Sequence, residues 1–219
     1  KIQSGSLWNS PISDYQMKVY REIKKLRSEN LTYKQIRDNL NERGWRTVRG
    51  KEFKDETVED WSDHFKVNLM SGVQLSKHFL PEMIKRDWGR IIFISSECAT
   101  LIPSDLLSYS VSKASINVFS SGLAKLTKGT NVTVNTIVPG STLSEGSKKF
   151  LEETASRENK TKDQVEKNFF NDVRDSSLIS RFLTVTEVAN TILYFSSPLA
   201  SGTNGASIRV DGGSMGSII

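Results

Sequence analysis

Glycine is scarce where a phosphate-cradling turn would need it. The first 71 residues hold only Gly5, Gly44 and Gly50, none clustered, and no Gly-x-Gly-x-x-Gly occurs anywhere. No apolar, β-type run precedes residue 89. Together these absences exclude a strand, glycine-rich turn and helix unit of the kind whose helix amino end receives a pyrophosphate. Cys98 is the only cysteine, so no disulfide can close within the chain, and a reducing, cytoplasmic setting is expected. His64 and His78 are the only histidines and lack companions at metal-ligand spacing. Both are expected on helix surfaces, with no metal. No apolar run reaches the length of a membrane span, and Lys1–Ser10 lacks the apolar stretch of a signal peptide, so no membrane partner is expected.

What is present is the composition of a globular protein with a buried core: 37% hydrophobic and 25% charged residues over 219 positions. The charge is unevenly placed. Residues 1–58 carry 13 basic and 8 acidic side chains, whereas the rest is balanced at 17 of each, so the net +5 belongs to the first quarter. That surplus is either a solvated helical face or a surface for a nucleic-acid or acidic partner.

The first segment reads as two helices. Pro11 and Asp14 open a run with Tyr15, Val19, Ile23 and Leu26 at helical spacing. Thr32 is placed to cap a second helix carrying Ile36 and Leu40, which Gly44 stops. Residues 1–50 are therefore expected to form a small helix-turn-helix-like unit, and 51–219 a second domain of alternating helix and strand. In that second part, 57–86 is a long amphipathic helical stretch interrupted by Pro81. Gly89–Ser95 reads as a strand buried on both faces, and 109–127 as a helix. Val132–Val138 is a strand ended by Pro139-Gly140, and 144–173 is charged and helical. Thr184 and Glu187 have capping-box spacing before a helix that runs to Ser197-Pro198, and Ala206–Val210 is a third strand. Strands separated by helices of this length predict right-handed βαβ units and a parallel sheet.

Tyr109 and Lys113 stand four apart, one helical turn, and so share a face. A free phenol titrates near pH ~10, and an ammonium beside it favours the phenolate, which suits a general acid/base acting on an alcohol or carbonyl. Ser96 ends a strand, where its hydroxyl can bond the same substrate oxygen. Pro139-Gly140 follows the next strand, at the carboxyl edge where parallel α/β sheets bind ligands. Each feature alone is common in structures without function; their joint spacing is what singles them out.

Val67-Asn68-Leu69, Gly89-Arg-Ile-Ile-Phe-Ile-Ser-Ser96, Tyr109-Ser-Val-Ser-Lys113, Val134-Asn-Thr-Ile-Val-Pro-Gly140 and Val210-Asp-Gly-Gly213 resemble the short-chain dehydrogenases/reductases. Ser96 lies 13 before Tyr109 and Asn68 lies 28 before Ser96, as in that family. The resemblance runs over residues 51–219. It implies an α/β fold: a partial Rossmann-like, doubly wound parallel sheet of the late strands only, preceded by the small helical segment. It implies NAD(P)-dependent alcohol/carbonyl interconversion, with a small-molecule alcohol or carbonyl as substrate. It also implies roles. Tyr109 is the acid/base, Lys113 lowers its pKa and holds the nicotinamide ribose, Ser96 positions the substrate oxygen, and Asn68 supports a water-linked proton path through Lys113. Pro139, Gly140, Ser141 and Thr142 line the nicotinamide of NAD or NADP. Residues 143–182 cover the substrate, and helices around Trp61–Met83 and Tyr109–Thr127 pack against a second copy in a homo-oligomer.

Leu31–Gly44 with Thr47-Val-Arg-Gly50 resembles a helical segment found after the catalytic domain of serine recombinases. The chain thus reads as a fusion or chimera of two segments. Two alternatives to an oxidoreductase stay open: a non-catalytic binding or oligomerisation module, and DNA binding through residues 11–50, with Arg37, Arg43, Arg46 and Arg49 meeting phosphates.

Overall fold

The computed structural model describes residues 14–31, 33–47, 52 and 58–216. The chain divides into two compact units, Lys1–Asp55 and Glu56–Ile219. Pro11, Thr32 and Arg49 lie outside the described residues.

In the first unit, α1 (Asp14–Ser28) and α2 (Tyr33–Glu42) pack through their apolar stripes. Leu26, Ile36 and Leu40 are buried, with Ile23, Leu31 and Trp45 against them. Each fully buried aliphatic side chain contributes roughly 1.5–3 kcal/mol, so this is a small core. Asn30 and Gly44 close the two helices in the left-handed region, at φ 64° and 74°. Arg43 pairs with Glu22 across the helices, and the Tyr15 hydroxyl donates to the Arg46 carbonyl.

The second unit is built on a three-stranded parallel sheet in the order β1 (Gly89–Ile94), β2 (Val132–Pro139), β3 (Ser207–Val210). Gly89 registers with Val132, and Thr136 with Ser207. Two asparagine side chains, Asn135 on β2 and Asn204 just before β3, fix the return to β3. Asn204 Oδ1 accepts from Val134 N, and Asn135 bonds the backbone of both Thr203 and Ala206.

On one sheet face, Ile91, Phe93, Val132 and Val134 meet Leu80, Met83 and Ile84 of α4 (Ser71–Lys85) and Ile116, Phe119 and Leu123 of α6 (Leu107–Ala124). Buried Ser108, Ser110, Ser112 and Ser120 keep α6 thin enough to lie close to its neighbours. The other face receives α9 (Val185–Ser196), and Arg90 bonds the Ser197 carbonyl just past its end. The strand order advances in one direction while α6 and α9 lie on opposite faces, so the two crossovers have opposite hands. The expected uniform right-handedness fails at the second crossover. That connection also carries α7 (Glu145–Glu158) and α8 (Lys162–Asp172), and the preference is strongest for simple strand–helix–strand units. Leu151, Val165, Phe170 and Phe182 give α7 and α8 a core of their own.

Two details depart from the sequence reading. Pro81 does not interrupt its helix; α4 runs through it to Lys85. The break comes earlier, at a turn of π-helix, Lys66–Met70, between α3 (Val58–Phe65) and α4. β1 is also less buried than its apolar composition predicts, with Ile94 43% exposed, whereas β2 is buried from Val132 to Val138. Among the described residues β1 has a strand on one side only, and an edge strand cannot be covered as a central one is.

Candidate active site

The carboxyl end of β1 continues pairing with β2 beyond the strand itself: Ser95 N bonds the Ile137 carbonyl and Glu97 N the Pro139 carbonyl. Ser96 is thereby held between two anchored neighbours. The Ser95 hydroxyl also donates to the Lys113 carbonyl at 2.9 Å, fixing the strand end to α6. Ser96 Oγ accepts from Cys98 N at the start of the short helix α5 (Cys98–Leu101).

Tyr109 lies in the first turn of α6, half-buried. Lys113, one turn further, places Nζ 5.7 Å from the centre of the Tyr109 ring and donates to the Ile94 carbonyl at 2.9 Å. Asn68 sits in the π-helical turn, a distortion frequent at functional sites. Its amide donates to Ser112 Oγ, which donates in turn to the Tyr109 carbonyl. Asn68 and Lys113 both open onto a cleft of about 440 Å3 between α4 and β1, lined also by Gly72, Phe79, Phe93 and Ile116. Ser96, Tyr109, Lys113 and Asn68 are therefore brought together by the fold.

The turn after β2 joins them through one carboxylate. Gly140 is pressed between strands: a Cβ there would lie 2.7 Å from the Asp211 Cα and 2.9 Å from Glu97 Oε2. The Ser141 hydroxyl donates to Glu97 Oε1, and Thr142 turns back onto the Gly140 carbonyl. Pro139, Gly140, Ser141 and Thr142 thus flank the site at the carboxyl edge of the sheet.

The electrostatics differ from the expectation drawn from the Tyr–Lys spacing. Burial raises the Tyr109 phenol above its ordinary value; the Ser96 side chain pulls it down, and Cys98 and Glu97 add to the rise. Burial lowers the Lys113 ammonium. The physical reason is placement: the Lys113 amine is turned to the Ile94 carbonyl, and desolvation disfavours the charged form of both groups.

Sequence reasoning missed three residues. His64 is half-buried, with Nδ1 2.7 Å from Ser108 Oγ and its ring edge-on to Tyr109. Its one available signal was its position four before Asn68. Glu97, directly after Ser96, was visible in the sequence but unpartnered there. Arg174, which meets it at 2.8 Å, lies 77 residues on and gave no local signal. No cluster of three or more metal-ligating side chains occurs among the described residues. Nor is any described helix long and apolar enough to cross a membrane.

Comparison with known proteins fits this geometry. A family model described as enoyl-(acyl carrier protein) reductase matches residues 40–215, and a recombinase model matches residues 14–64. The uncharacterized oxidoreductase YvrD of Bacillus subtilis is 42% identical over 163 residues, 74% of this chain and 62% of that protein. The 3-oxoacyl-[acyl-carrier-protein] reductase FabG of Aquifex aeolicus is 33% identical over 166 residues, 76% of this chain and 61% of that one. L-Sorbose reductase from Gluconobacter frateurii, solved with NADPH and L-sorbose, superimposes with a TM-score of 0.70 at 26% identity, covering 79% of this chain and 63% of that one. The chain thus spans less than two thirds of the length of these relatives. With the motifs in order, the sheet of the fold beneath them and a model matching residues 40–215, this chain belongs to the short-chain dehydrogenase/reductase family of oxidoreductases.

Proposed function

We propose that the second unit carries the proton-transfer site of an NAD(P)-dependent interconversion of a small alcohol and its carbonyl compound. The observation that carries this reading is the placement of Ser96 at the carboxyl edge of a parallel sheet, anchored between Ser95 and Glu97, with Tyr109 in the first turn of α6 and Lys113 one turn along the same helix, its Nζ 5.7 Å from the Tyr109 ring centre. Pro139, Gly140, Ser141 and Thr142 would hold the nicotinamide, which would supply a hydride when bound in its reduced form. Tyr109 Oη then gives its proton to the substrate oxygen, and the Ser96 hydroxyl bonds that oxygen as charge develops on it. A phenol held above its ordinary pKa stays protonated at neutral pH, which suits carbonyl reduction. Lys113, with one donor on the Ile94 carbonyl, has others for a ribose, and Asn68 on the same cleft continues a proton path to it.

These residues fit the nicotinamide end of the cofactor. Among these 219 residues there is no glycine-rich turn for the pyrophosphate. NADPH is the first candidate because the similar L-sorbose reductase was solved with it. Exposed Val67, Leu75 and Phe79 before β1 and Val118 on α6 support pairing with a second copy. The lone Cys98 supports a reducing, cytoplasmic setting.

Fluorescence titration with NADPH and NADH tests the reading. Saturable binding below millimolar supports it, and no binding overturns it for this chain. In an assembly that turns over, Tyr109→Phe lowers the rate by about 10²–10⁴-fold and leaves binding intact; unchanged turnover removes the assigned role.

A second reading, DNA contact through the first unit, is favoured by the recombinase match over residues 14–64. Arg43 and Arg46 already pair with Glu22 and Glu52, and Arg37 with Asp38, so binding there has to compete with internal partners. Affinity for duplex DNA that does not fall steeply with salt sinks it.

A further inference from the structure

We propose that Glu97 is a positioning residue of the Tyr109 site, and that its pairing with Arg174 sets how much negative charge the phenol meets. The importance of this rests on Tyr109 being the acid/base proposed above; the geometry stands by itself.

Glu97 is almost wholly enclosed, its side chain 4% exposed, and Arg174 is 9% exposed. One oxygen, Oε1, takes both Arg174 Nε at 2.8 Å and the Ser141 hydroxyl at 2.9 Å. The other, Oε2, is buried without a partner among the described residues and faces Gly140. Three parts of the chain meet at this carboxylate: the residue after Ser96, the turn after β2, and the segment leaving α8. Arg174 is itself fixed, over the Phe169 ring at 5.8 Å and donating to the Val173 carbonyl. Moving the α7–α8 pair therefore moves a cation on the carboxylate beside the proton donor.

An enclosed carboxylate with a single cationic partner is screened by that partner and by little else. The other groups around the phenol are His64 from α3, Lys113 from its own helix, and Cys98 beside Glu97. Asp211, across Gly140, is engaged by Arg209. None of these neutralises Glu97; Arg174 does. Glu97 already contributes to the raised titration of Tyr109. Removing the arginine uncovers that charge, and removing the carboxylate abolishes it. The two changes act on the phenol with opposite sign, which a merely structural contact does not do.

The test is the titration of Tyr109 in the 219-residue chain, read as tyrosinate absorbance after a rapid pH jump. The matching Tyr109→Phe protein is subtracted in each background. Arg174→Met titrates above the parent protein and Glu97→Gln below it; the double variant, which keeps neither charge, falls between the two. If Arg174→Met does not fold, the double variant still does, because it leaves no unpaired buried charge, and its titration above Glu97→Gln sustains the proposal while agreement with Glu97→Gln overturns it. An unmoved Tyr109 in folded Glu97→Gln, or a shift of the same sign in both single variants, overturns it. No cofactor enters the measurement. A failure to bind NADPH therefore leaves it standing, and its failure leaves the cofactor titration standing.

Discussion

Two glutamate–arginine pairs bracket the last part of the α7–α9 connection, and they are built in opposite ways. Glu97–Arg174, at the carboxyl edge of the sheet, is enclosed, uses one carboxylate oxygen and leaves the other without a partner. Glu187–Arg181, at the start of α9, is open to solvent and uses both oxygens. Glu187 also accepts from Thr184 N, in a capping box, and these contacts hold its carboxyl down to about 2, with the Arg181 hydrogen bond the largest cause. Solvent makes the second pair weak in spite of its good geometry. Burial makes the first pair consequential, because neither partner has water to fall back on.

The comparison breaks most visibly at the arginines. Arg174→Met leaves Glu97 buried and unpaired and lowers stability by about 3–5 kcal/mol. Arg181→Met barely moves the urea midpoint. Equal losses in the two variants would show that enclosure is not the deciding factor.

Gly140→Ala is next in size. Its Cβ meets backbone of Asp211 as well as Glu97 Oε2, neither of which can swing away, and overpacking of this kind costs about 1–3 kcal/mol. A wild-type midpoint for Gly140→Ala would mean that the strands part easily at this turn.

The smallest effect is a pH dependence at α9. A carboxyl depressed in the folded state stabilises above its unfolded value, and that stabilisation is lost as pH falls toward the folded value of about 2. Glu187→Gln is thus less stable than the parent protein at neutral pH, and the gap between their denaturation midpoints closes as pH falls toward about 2. A gap constant down to that pH would assign the contribution to the cap hydrogen bonds alone.

Much of this was legible in the chain. Val132–Val138 is apolar or β-branched at every position but Asn135, which suits a central strand, and Thr184 with Glu187 announced the start of α9. The spacing of Asn68, Ser96, Tyr109 and Lys113 carried the family. Pro81 misled because a helix tolerates proline where the lost hydrogen bond faces solvent, and the residue is exposed. The π-turn at Asn68 left no sequence mark; there Asn68 bonds Ser112 of α6, a contact between distant segments.

The sequence by itself determined which residues form strands and helices, where α9 is capped, and which four side chains are drawn to one edge of the sheet. Those are local or periodic properties, written in neighbours a few residues apart. The tertiary structure alone decided that Lys113 turns to the Ile94 carbonyl, that the Tyr109 phenol is raised, and that Glu97 finds Arg174. Each depends on burial and on contacts between distant segments, and a charge takes its energy from the medium around it.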